Sequence, residues 1–385
     1  AEGSSLAIRA MLYLAYTRSG CKGKCLAGRN AHKSFLHTAV LLDFPISWLW
    51  AGDSYLSCPV TAETVEAAIL EEKEKPFAVY LTSPDYLGNL APVGEIASVC
   101  HQHGVPLLVD NAHGAYLKFL PRSLHPMDLG ADLCSDSAHK TLPVLTGGAY
   151  LHMGPDWTAE EAKAAMALFG STSPSWLILQ SLDGANPLLE RLPGDIAALA
   201  PHIAAMKGAL LAHGFALVGA EPLKITVHAA KFGYSGEEME EILERQGIFC
   251  EFADRDFLVF MLTPRNTPEE LDRLRAVLCA LPRGARQERP PIALAHPKAA
   301  CTPRQAAFAP RETIPVENSL GRILALANVS CPPAVPIVMC GEEIDEAAQE
   351  ALRRCGIEEV AVIKASPSGV AAMQQKVGLA RRSRT

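Results

Sequence analysis

Short apolar runs alternate with amphipathic stretches through the first 150 residues of the chain. Apolar residues at helical spacing predict helices from Ser4 to Ala15 and from Thr61 to Glu74. A proline near its start and a glycine at its end predict another helix over 92–104. Apolar, β-rich runs predict strands at 77–83 and 105–115 and in the pieces ADLCSDSAHK (131–140) and GGAYLHM (147–153). Strands separated by helices predict a mainly parallel sheet with helices on both faces.

The pattern changes after residue 190. GDIAALAPHIAAMKGALLAHG predicts a long helix ending at Gly214, and strand, helix, strand, strand and helix follow. That order is typical of a small α+β domain. Residues 283–303 are rich in proline and predict a linker, after which a capped helix leads into a strand. We therefore predict a large α/β domain over 1–188, a small α+β domain over 189–282, a C-terminal α+β domain over 304–368 and a flexible tail over 369–385.

Composition excludes several classes of function. The chain has 385 residues, of which 49% are hydrophobic and 20% charged, enough for two or three globular domains. A net charge of −7 offers no basic field, so we expect no nucleic-acid partner. We see no apolar run of the roughly 18 residues that a membrane span needs and no signal peptide, so we expect no membrane and a cytoplasmic location.

The 11 scattered cysteines predict reduced thiols. Cys21 and Cys25 have no second pair at zinc-site spacing, so no metal site is expected. The chain begins on AEGSS, already at a turn entering a helix, and not on Met. We therefore expect that an N-terminal segment is missing.

Three polar features point to one cleft. Ser4 and Ser5 open a helix, whose hydroxyl and free N–H groups suit phosphate. Asp110 ends a buried strand and needs a cationic partner, and Lys140 follows the next strand. Each alone has an ordinary explanation as a helix cap, a structural ion pair or a solvated lysine. Ligands collect at the carboxyl ends of parallel strands, so together they predict a shared site.

An acid, a lysine and a phosphate cradle suit pyridoxal 5'-phosphate. A lysine forms a Schiff base with the cofactor aldehyde, and an aspartate keeps the pyridine nitrogen protonated so that the ring accepts electrons. The sequence has neither G-x-G-x-x-G nor the P-loop spacing, which removes the usual nucleotide alternatives.

The sequence resembles the ornithine/lysine/arginine decarboxylase family of pyridoxal-phosphate enzymes, which has fold type I, that of aspartate aminotransferase. The resemblance is specific because the matching segments keep their order along almost the whole chain. They are RNAHKS (29–34), VDNAHGA (109–115), SAHKTLPVLTGGAYLH (137–152), STSPSWLILQSLDGA (171–185), GYSGEEMEEIL (233–243), RETIPVENSLGRILA (311–325) and PPAVPIVMCGEEI (332–344).

The resemblance implies a role for each matching position. Lys140 would be the Schiff-base lysine and Asp110 the partner of the pyridine nitrogen. Ala112 and His32 would lie against the two faces of the ring, and His113 near its phenolic oxygen.

The remaining implied roles concern the phosphate and the substrate. Ser4, Ser5, Ser137 and His139 would surround the phosphate, and Thr172 is similar to a residue that reaches the phosphate of the neighbouring subunit. Glu251 would meet the distal cationic group of the substrate.

The implied reaction is decarboxylation of arginine, lysine or ornithine to its amine, in a homodimer with shared active sites. Higher oligomers stay open. Two alternatives also stay open: a non-catalytic or regulatory homologue that keeps the fold, and an aminotransferase or lyase that uses the same cofactor.

Several departures indicate a divergent family member. The family's Asp-Glu-Ala-His appears with Asn111 in second place, its Gly and Asn after the hydroxyl cradle are Ala7 and Ile8, and its Pro-Gly-Glu has Cys340 in first place. Family members also carry a stretch before the Gly-Ser-Ser motif that this chain lacks.

Overall fold

A six-stranded sheet organises the first part of the chain. The computed structural model describes residues 1–52, 55–285, 292, 294–326 and 335–364. The sheet has the order β2-β1-β3-β4-β5-β6, with β1 to β5 parallel and β6 antiparallel to β5. Its strands are β1 (Cys25–Gly28), β2 (Ile46–Leu49), β3 (Ala78–Thr82), β4 (Leu107–Asp110), β5 (Leu133–Asp136) and β6 (Tyr150–Met153). The prediction of a mainly parallel α/β sheet is confirmed.

Helices cover both faces of this sheet. The helices are α1 (Gly3–Arg18), α2 (Lys33–Leu42), α3 (Ala62–Glu71), α4 (Val93–Gln102), the single turn α5 (Ala138–Thr141), α6 (Ala159–Phe169) and α7 (Trp176–Gly184). The helix predicted from Thr61 to Glu74 is α3, with Thr61 as its N-cap, and it ends three residues before Glu74 because Glu72 is already extended.

Alternate residues of the strands face opposite layers, which explains their continuous apolar character. Ala27, Tyr80 and Leu108 belong to the core that α1 and α2 cover. Val79 and Val109 belong to the core that α3 and α4 cover. The strands are therefore buried on both sides, and their carboxyl ends remain for a ligand.

A long helix, α8 (Asn186–His213), connects the sheet domain to the next unit. It starts before residue 188, so the predicted boundary between 188 and 189 falls inside a helix. Pro187 lies in its first turn, where a missing N–H costs little. Its core-facing residues are Leu192, Ile196, Leu199, Ile203, Met206 and Leu210.

Helix α8 also corrects the expectation that no segment has the length and apolar character of a membrane span. It has 28 residues and an 18-residue window of mean hydropathy 1.3, and 28% of that window is buried. By length and composition alone it could cross a membrane. A core helix of a soluble protein passes the same test, so this is weak evidence.

The small unit is a four-stranded antiparallel sheet of order β7-β8-β10-β9 with three helices. Its elements are β7 (Leu217–Val218), β8 (Lys224–His228), α9 (Ala229–Phe232), α10 (Gly236–Glu244), β9 (Phe252–Ala253), β10 (Phe257–Met261) and α11 (Pro268–Cys279). The apolar sides of α8, α10 and α11 share one core with β8 and β10.

The C-terminal unit contains α12 (Pro303–Phe308), β11 (Arg311–Pro315), α13 (Glu346–Arg354) and β12 (Glu359–Ile363). β11 and β12 pair antiparallel, and Asp345 caps α13. Residues 286–291 and 293 of the predicted linker and all of the predicted tail, 369–385, lie outside the described residues. The domain boundaries stay predictions.

A buried ion pair joins this unit to the sheet domain. Arg29, which follows β1, is 1% exposed and bonds both carboxylate oxygens of Glu342, at 2.6 and 2.7 Å. The guanidinium also lies 4.4 Å from the ring centre of Trp50. Arg29 of the RNAHKS segment therefore has a structural contact that its motif alone does not reveal.

Candidate active site

Asp110 ends β4 with its carboxylate buried at the edge of the sheet. It is 2% exposed and accepts hydrogen bonds from the Tyr80 hydroxyl and the Ala112 N–H, both at 3.2 Å. Burial raises the pKa of Asp110 to about 6, against the lowering effect of the Lys140 charge and the Tyr80 hydrogen bond. This carboxylate has no salt-bridge partner in the part of the chain that the structure describes.

Lys140 lies in α5, directly after β5, as the sequence predicts. Its Nζ is 3.0 Å from Nε2 of His113. Burial lowers the pKa of Lys140, the charges of Asp110 and Glu251 oppose that shift, and the Lys224 charge adds to it. A lowered pKa increases the fraction of neutral amine, the form that attacks a carbonyl.

His113 lies between Lys140 and the small unit. Burial lowers its pKa well below the ordinary value, with the charges of Lys224 and Lys140 next in importance, so the ring is neutral. Its ring meets Tyr86 edge to face at 5.3 Å. Nδ1 of His113 is buried without a hydrogen-bond partner among the described residues. A neutral ring that accepts at Nε2 from Lys140 carries its proton on Nδ1, free to donate to a ligand.

The serines predicted for the phosphate lie in two segments that contact each other, the start of α1 and the chain after β5. The Ser135 hydroxyl donates to the Ser4 carbonyl at 3.4 Å, and the main chain of Glu2 bridges that of Gly148. His139 donates from Nδ1 to the Gly148 carbonyl at 3.0 Å. Ser137 precedes α5 as its N-cap residue, without a capping side-chain bond. Ser5 lies one residue further along α1, with Oγ 2.7 Å from Oγ of Ser34.

His32 caps α2 and faces the same cleft. Its Nδ1 accepts the N–H of Ser34 at 3.2 Å. Burial lowers the pKa of His32 to about 4, and the charge of Lys140 is the next largest cause. The structure thus brings His32 close to Lys140 although 108 residues separate them.

Glu251 and Thr172 lie further out. Glu251 is an exposed residue of the small unit whose charge reaches both Lys140 and Tyr86. Burial raises the pKa of Tyr86 to about 12, with Glu251 the second cause. Thr172 is exposed in the segment between α6 and α7. The cap of α7 is Ser175, so Thr172 is not needed there.

Sequence reasoning missed three features near the cleft. Tyr80 reaches Asp110 only because β3 and β4 pair in parallel register. Lys224, a lysine inside an apolar strand pattern, bonds Glu221 at 2.8 Å and the Tyr86 carbonyl at 3.3 Å. The third feature is a cluster of His125, Asp136 and His152 beneath the sheet edge. A charged residue within an apolar strand pattern was the sequence signal that could have identified Lys224 as a buried, partnered residue.

A lysine after one strand and a buried aspartate at the end of its parallel neighbour, beside a small antiparallel unit, define fold type I of the pyridoxal-phosphate-dependent enzymes. Solved structures agree on the fold. The chain resembles the Francisella novicida lysine decarboxylase LdcF with a TM-score of 0.75 and 17% identity, over 94% of this chain and 69% of that one. The E. coli constitutive lysine decarboxylase gives 0.72 and 18%, again over 94% and 69%.

Sequence relatives agree on the family. The family described as Orn/Lys/Arg decarboxylase, major domain, matches residues 1–198. A Bacillus subtilis protein, "Uncharacterized protein YaaO", is 30% identical over 86% of this chain and 72% of its own length. An arginine decarboxylase of Halalkalibacterium halodurans is 30% identical over 90% of this chain and 74% of its own. The chain therefore belongs to the Orn/Lys/Arg decarboxylase family of pyridoxal-phosphate-dependent decarboxylases, as its motifs predicted.

Proposed function

We propose that this protein decarboxylates arginine, lysine or ornithine with pyridoxal 5'-phosphate covalently held by Lys140. The observation that carries the proposal is the Lys140 amine, 3.0 Å from His113 and next to the buried Asp110, at the ends of two neighbouring strands. Relatives named arginine decarboxylase and solved structures named lysine decarboxylase support the substrate class.

The cofactor fits two polar groups of the cleft that lack a charge partner or a hydrogen-bond partner among the described residues. Asp110 is a buried carboxylate in need of a cation, and a protonated pyridine nitrogen is such a cation. His113 offers a buried Nδ1 without a partner among the described residues, suited to the ring's phenolic oxygen. When bound, the cofactor supplies a ring that accepts the electron pair released as the bond to CO2 breaks. Asp110 holds the proton on that ring, and burial makes its charge effective.

Lys140 has two tasks in this proposal. Its lowered pKa favours the neutral amine that bonds to the cofactor aldehyde. When it is not bonded to the cofactor, the protonated form of Lys140 would be the general acid that donates a proton to the α-carbon of the substrate. His113 touches its Nζ and can relay that proton.

The start of α1 is the proposed phosphate site. Helix α1 has 16 residues, so its first N–H groups and its dipole favour an anion. Ser4 and Ser5 of α1, with Ser137 and His139 of the segment at α5, would surround the phosphate there. His32 and Ala112 would then lie against the two faces of the ring, which leaves the Lys140 side for the substrate.

Glu251 with Tyr86 is the proposed site for the distal cation of the substrate. Glu251 to Gln should raise KM for a basic amino acid about tenfold, with little change in kcat, because one ionic contact is worth about 1.4 kcal/mol in binding. Glu244 to Gln, on an exposed surface of α10, is the matched control. An unchanged KM for all three amino acids in the Glu251 variant would remove Glu251 from the site.

We also propose that two copies associate through α7. Its apolar residues include Trp176, which is 79% exposed, and Leu177, which is 68% exposed; Leu145 and Leu168 are exposed as well. An apolar surface of this kind is typical of an interface. Thr172 lies just before α7, in agreement with its implied place in a shared site. Sedimentation should give a dimer for the wild type and a monomer for Trp176 to Asp with Leu177 to Asp.

The decisive experiment is reconstitution with the cofactor followed by a substrate panel. The wild type should acquire a visible absorbance band and release CO2 from at least one of arginine, lysine and ornithine. Lys140 to Ala should lose both, whereas Lys118 to Ala, at an exposed ion pair with Asp128, should keep both. A visible band that survives in Lys140 to Ala contradicts the proposal. A band without CO2 release supports a non-catalytic homologue, and a keto acid product supports an aminotransferase.

A further inference from the structure

Behind the proposed cofactor site lies a cluster formed by His125, Asp136 and His152. Nε2 of His152 is 2.9 Å from Oδ2 of Asp136, and Nε2 of His125 is 3.1 Å from the same oxygen. His125 and Asp136 are buried, while the side chain of His152, in the antiparallel strand β6, is 36% exposed. None of the three has a role in the reaction proposed above.

The cluster is joined to the cofactor side of the sheet through Asn111. Its side-chain amide donates to Oδ1 of Asp136 at 2.7 Å, and its main-chain N–H donates to Ser135 at 2.9 Å. Asn111 directly follows Asp110, and Asp136 lies four residues before Lys140 on the same strand end. These two hydrogen bonds of Asn111 therefore connect the segment that carries the acid to the segment that carries the lysine.

Space fixes the Asn111 side chain in this position. A Cβ added to Gly114 would lie 2.0 Å from Oδ1 of Asn111, so the turn after β4 closes tightly over the amide. Loss of the bond to Asp136 would leave the amide without this partner in a confined space, and a rearrangement that restores a partner would move the neighbouring carboxylate.

The three groups of the cluster lie within 4.8 Å of one another, a spacing that also suits a metal ion. The tautomer of His125 argues against a metal site. Its Nδ1 accepts the N–H of Met127 at 3.3 Å, so the proton of a neutral ring is on Nε2. Nε2 then donates to Asp136 and has no lone pair for a metal.

Asp136 is ionised in this environment. Burial would raise its pKa, but the hydrogen bonds from His125 and His152 outweigh burial and hold the pKa well below its ordinary value. The other titratable groups in its electrostatic range are Cys134, Tyr150 and Asp110. Its negative charge contributes to raising the pKa of Asp110.

We propose that Asp136 is a positioning residue for the reaction: through Asn111 it holds Asp110 in register with Lys140, and its charge strengthens the negative potential at the cofactor ring. His125 and His152 orient this carboxylate. The proposal rests on the proposed function and adds to it a residue that touches neither substrate nor cofactor.

Asp136 to Asn tests the proposal against Asp132 to Asn. Asp132 lies just before the same strand and likewise accepts from a histidine, His101 at 3.1 Å, and from a backbone N–H, at 2.7 Å, but at the opposite end of the sheet. Asp136 to Asn should lower kcat/KM about 10- to 100-fold, as small misplacements of reacting groups do. The pH midpoint of the visible band should fall by about 0.5 unit or more, because a negative charge near the cofactor is lost. Asp132 to Asn should change neither.

His152 to Leu provides a second variant in case Asp136 to Asn folds poorly. His152 to Leu removes one hydrogen-bond donor to Asp136 and leaves the negative charge of Asp136 less neutralised. The pH midpoint of the visible band should therefore rise, whereas Asp136 to Asn should lower it. A purely structural role would not give opposite shifts. In the cofactor-free protein, long-range 1H–15N spectra should show the Nε2–H tautomer of His125.

Three results would overturn the proposal. The first is a normal pH midpoint and turnover in Asp136 to Asn when the wild type shows its band. The second is a shift of the same size in Asp132 to Asn. The third is stoichiometric zinc bound by the wild type and lost in Asp136 to Asn, which would make the cluster a metal site. A wild type without any visible band would instead contradict the proposed function itself.

Discussion

Buried charges are paired in one region of the molecule and unpaired in another. The first region is the Arg29–Glu342 ion pair between the sheet domain and the C-terminal unit, called the joint below, and the second is the cleft around Lys140. At the joint, the two charges bond each other twice, and Glu342 also accepts the Met339 N–H at 2.7 Å. In the cleft, Asp110 forms no salt bridge with a described residue, and the pKa values of Asp110, Lys140 and His113 are displaced by burial. Opposite charges that pair with each other hold two units together, whereas a buried carboxylate without a cation retains a desolvation cost that a ligand can relieve.

The largest stability effect should come from breaking the joint. Glu342 to Ala leaves a buried guanidinium without its partner, and such losses cost about 3–5 kcal/mol. Urea denaturation of the cofactor-free protein measures the free energy of unfolding. Glu312 to Ala, at a partly exposed pair with Arg322, is the control and should cost about 1 kcal/mol or less. Equal losses in the two variants would contradict the contrast between joint and surface.

Asp110 to Asn should stabilise the cofactor-free protein at pH 8 by up to about 3 kcal/mol, because a folded pKa of about 6 lies roughly two units above the ordinary value. The raised pKa means that the carboxyl costs nothing well below pH 4, where it is neutral in both states. Stability is lost as the pH rises from about 4 to about 6, because the unfolded chain releases a proton that the folded chain keeps, and the loss is complete above about 6. The gain should therefore vanish at about pH 3, one unit below the unfolded pKa. Urea denaturation at both pH values gives the difference, and a gain independent of pH would show that burial of the charge is not its source.

The cofactor should stabilise the cleft selectively. A ligand at 100 times its Kd adds about 2.7 kcal/mol to the free energy of unfolding. Thermal unfolding should therefore show a clear rise in Tm for the wild type and a much smaller one for Lys140 to Ala. Glu342 to Gln should keep the full rise, since Glu342 has no hydrogen bond to Lys140, Asp110, His113 or His32 among the described residues. A rise of equal size in Lys140 to Ala would mean that the cofactor binds elsewhere.

The smallest effect on stability is expected at a helix cap that lies outside both the cleft and the joint. Thr158 caps α6 with a capping box to Glu161, and its replacement by Ala should cost about 1 kcal/mol. The cost should not depend on cofactor, because α6 contributes no residue to the cleft. A cofactor-dependent cost in urea denaturation would show that the two regions are coupled through α1, against which α6 packs.

Local pattern was enough to predict most elements and the two central residues. Asp110 and Lys140 follow apolar runs, so their places at strand ends could be read from the chain. Helix limits were less certain: α3 ends at Glu71, and α8 extends across the predicted boundary with Pro193 and Pro201 inside it. Prolines usually interrupt helices, and here tertiary packing of the apolar side of α8 prevails.

By itself, the sequence determined the alternation of helices and strands, the family motifs and the strand ends that carry Lys140 and Asp110, because periodicity and turn chemistry act over a few residues. Only the tertiary structure decided that Arg29 meets Glu342, that Glu251 faces Lys140, and that two histidines converge on Asp136. Those contacts join residues far apart in the chain, and their geometry depends on strand register and on how separate units pack, which no local pattern encodes.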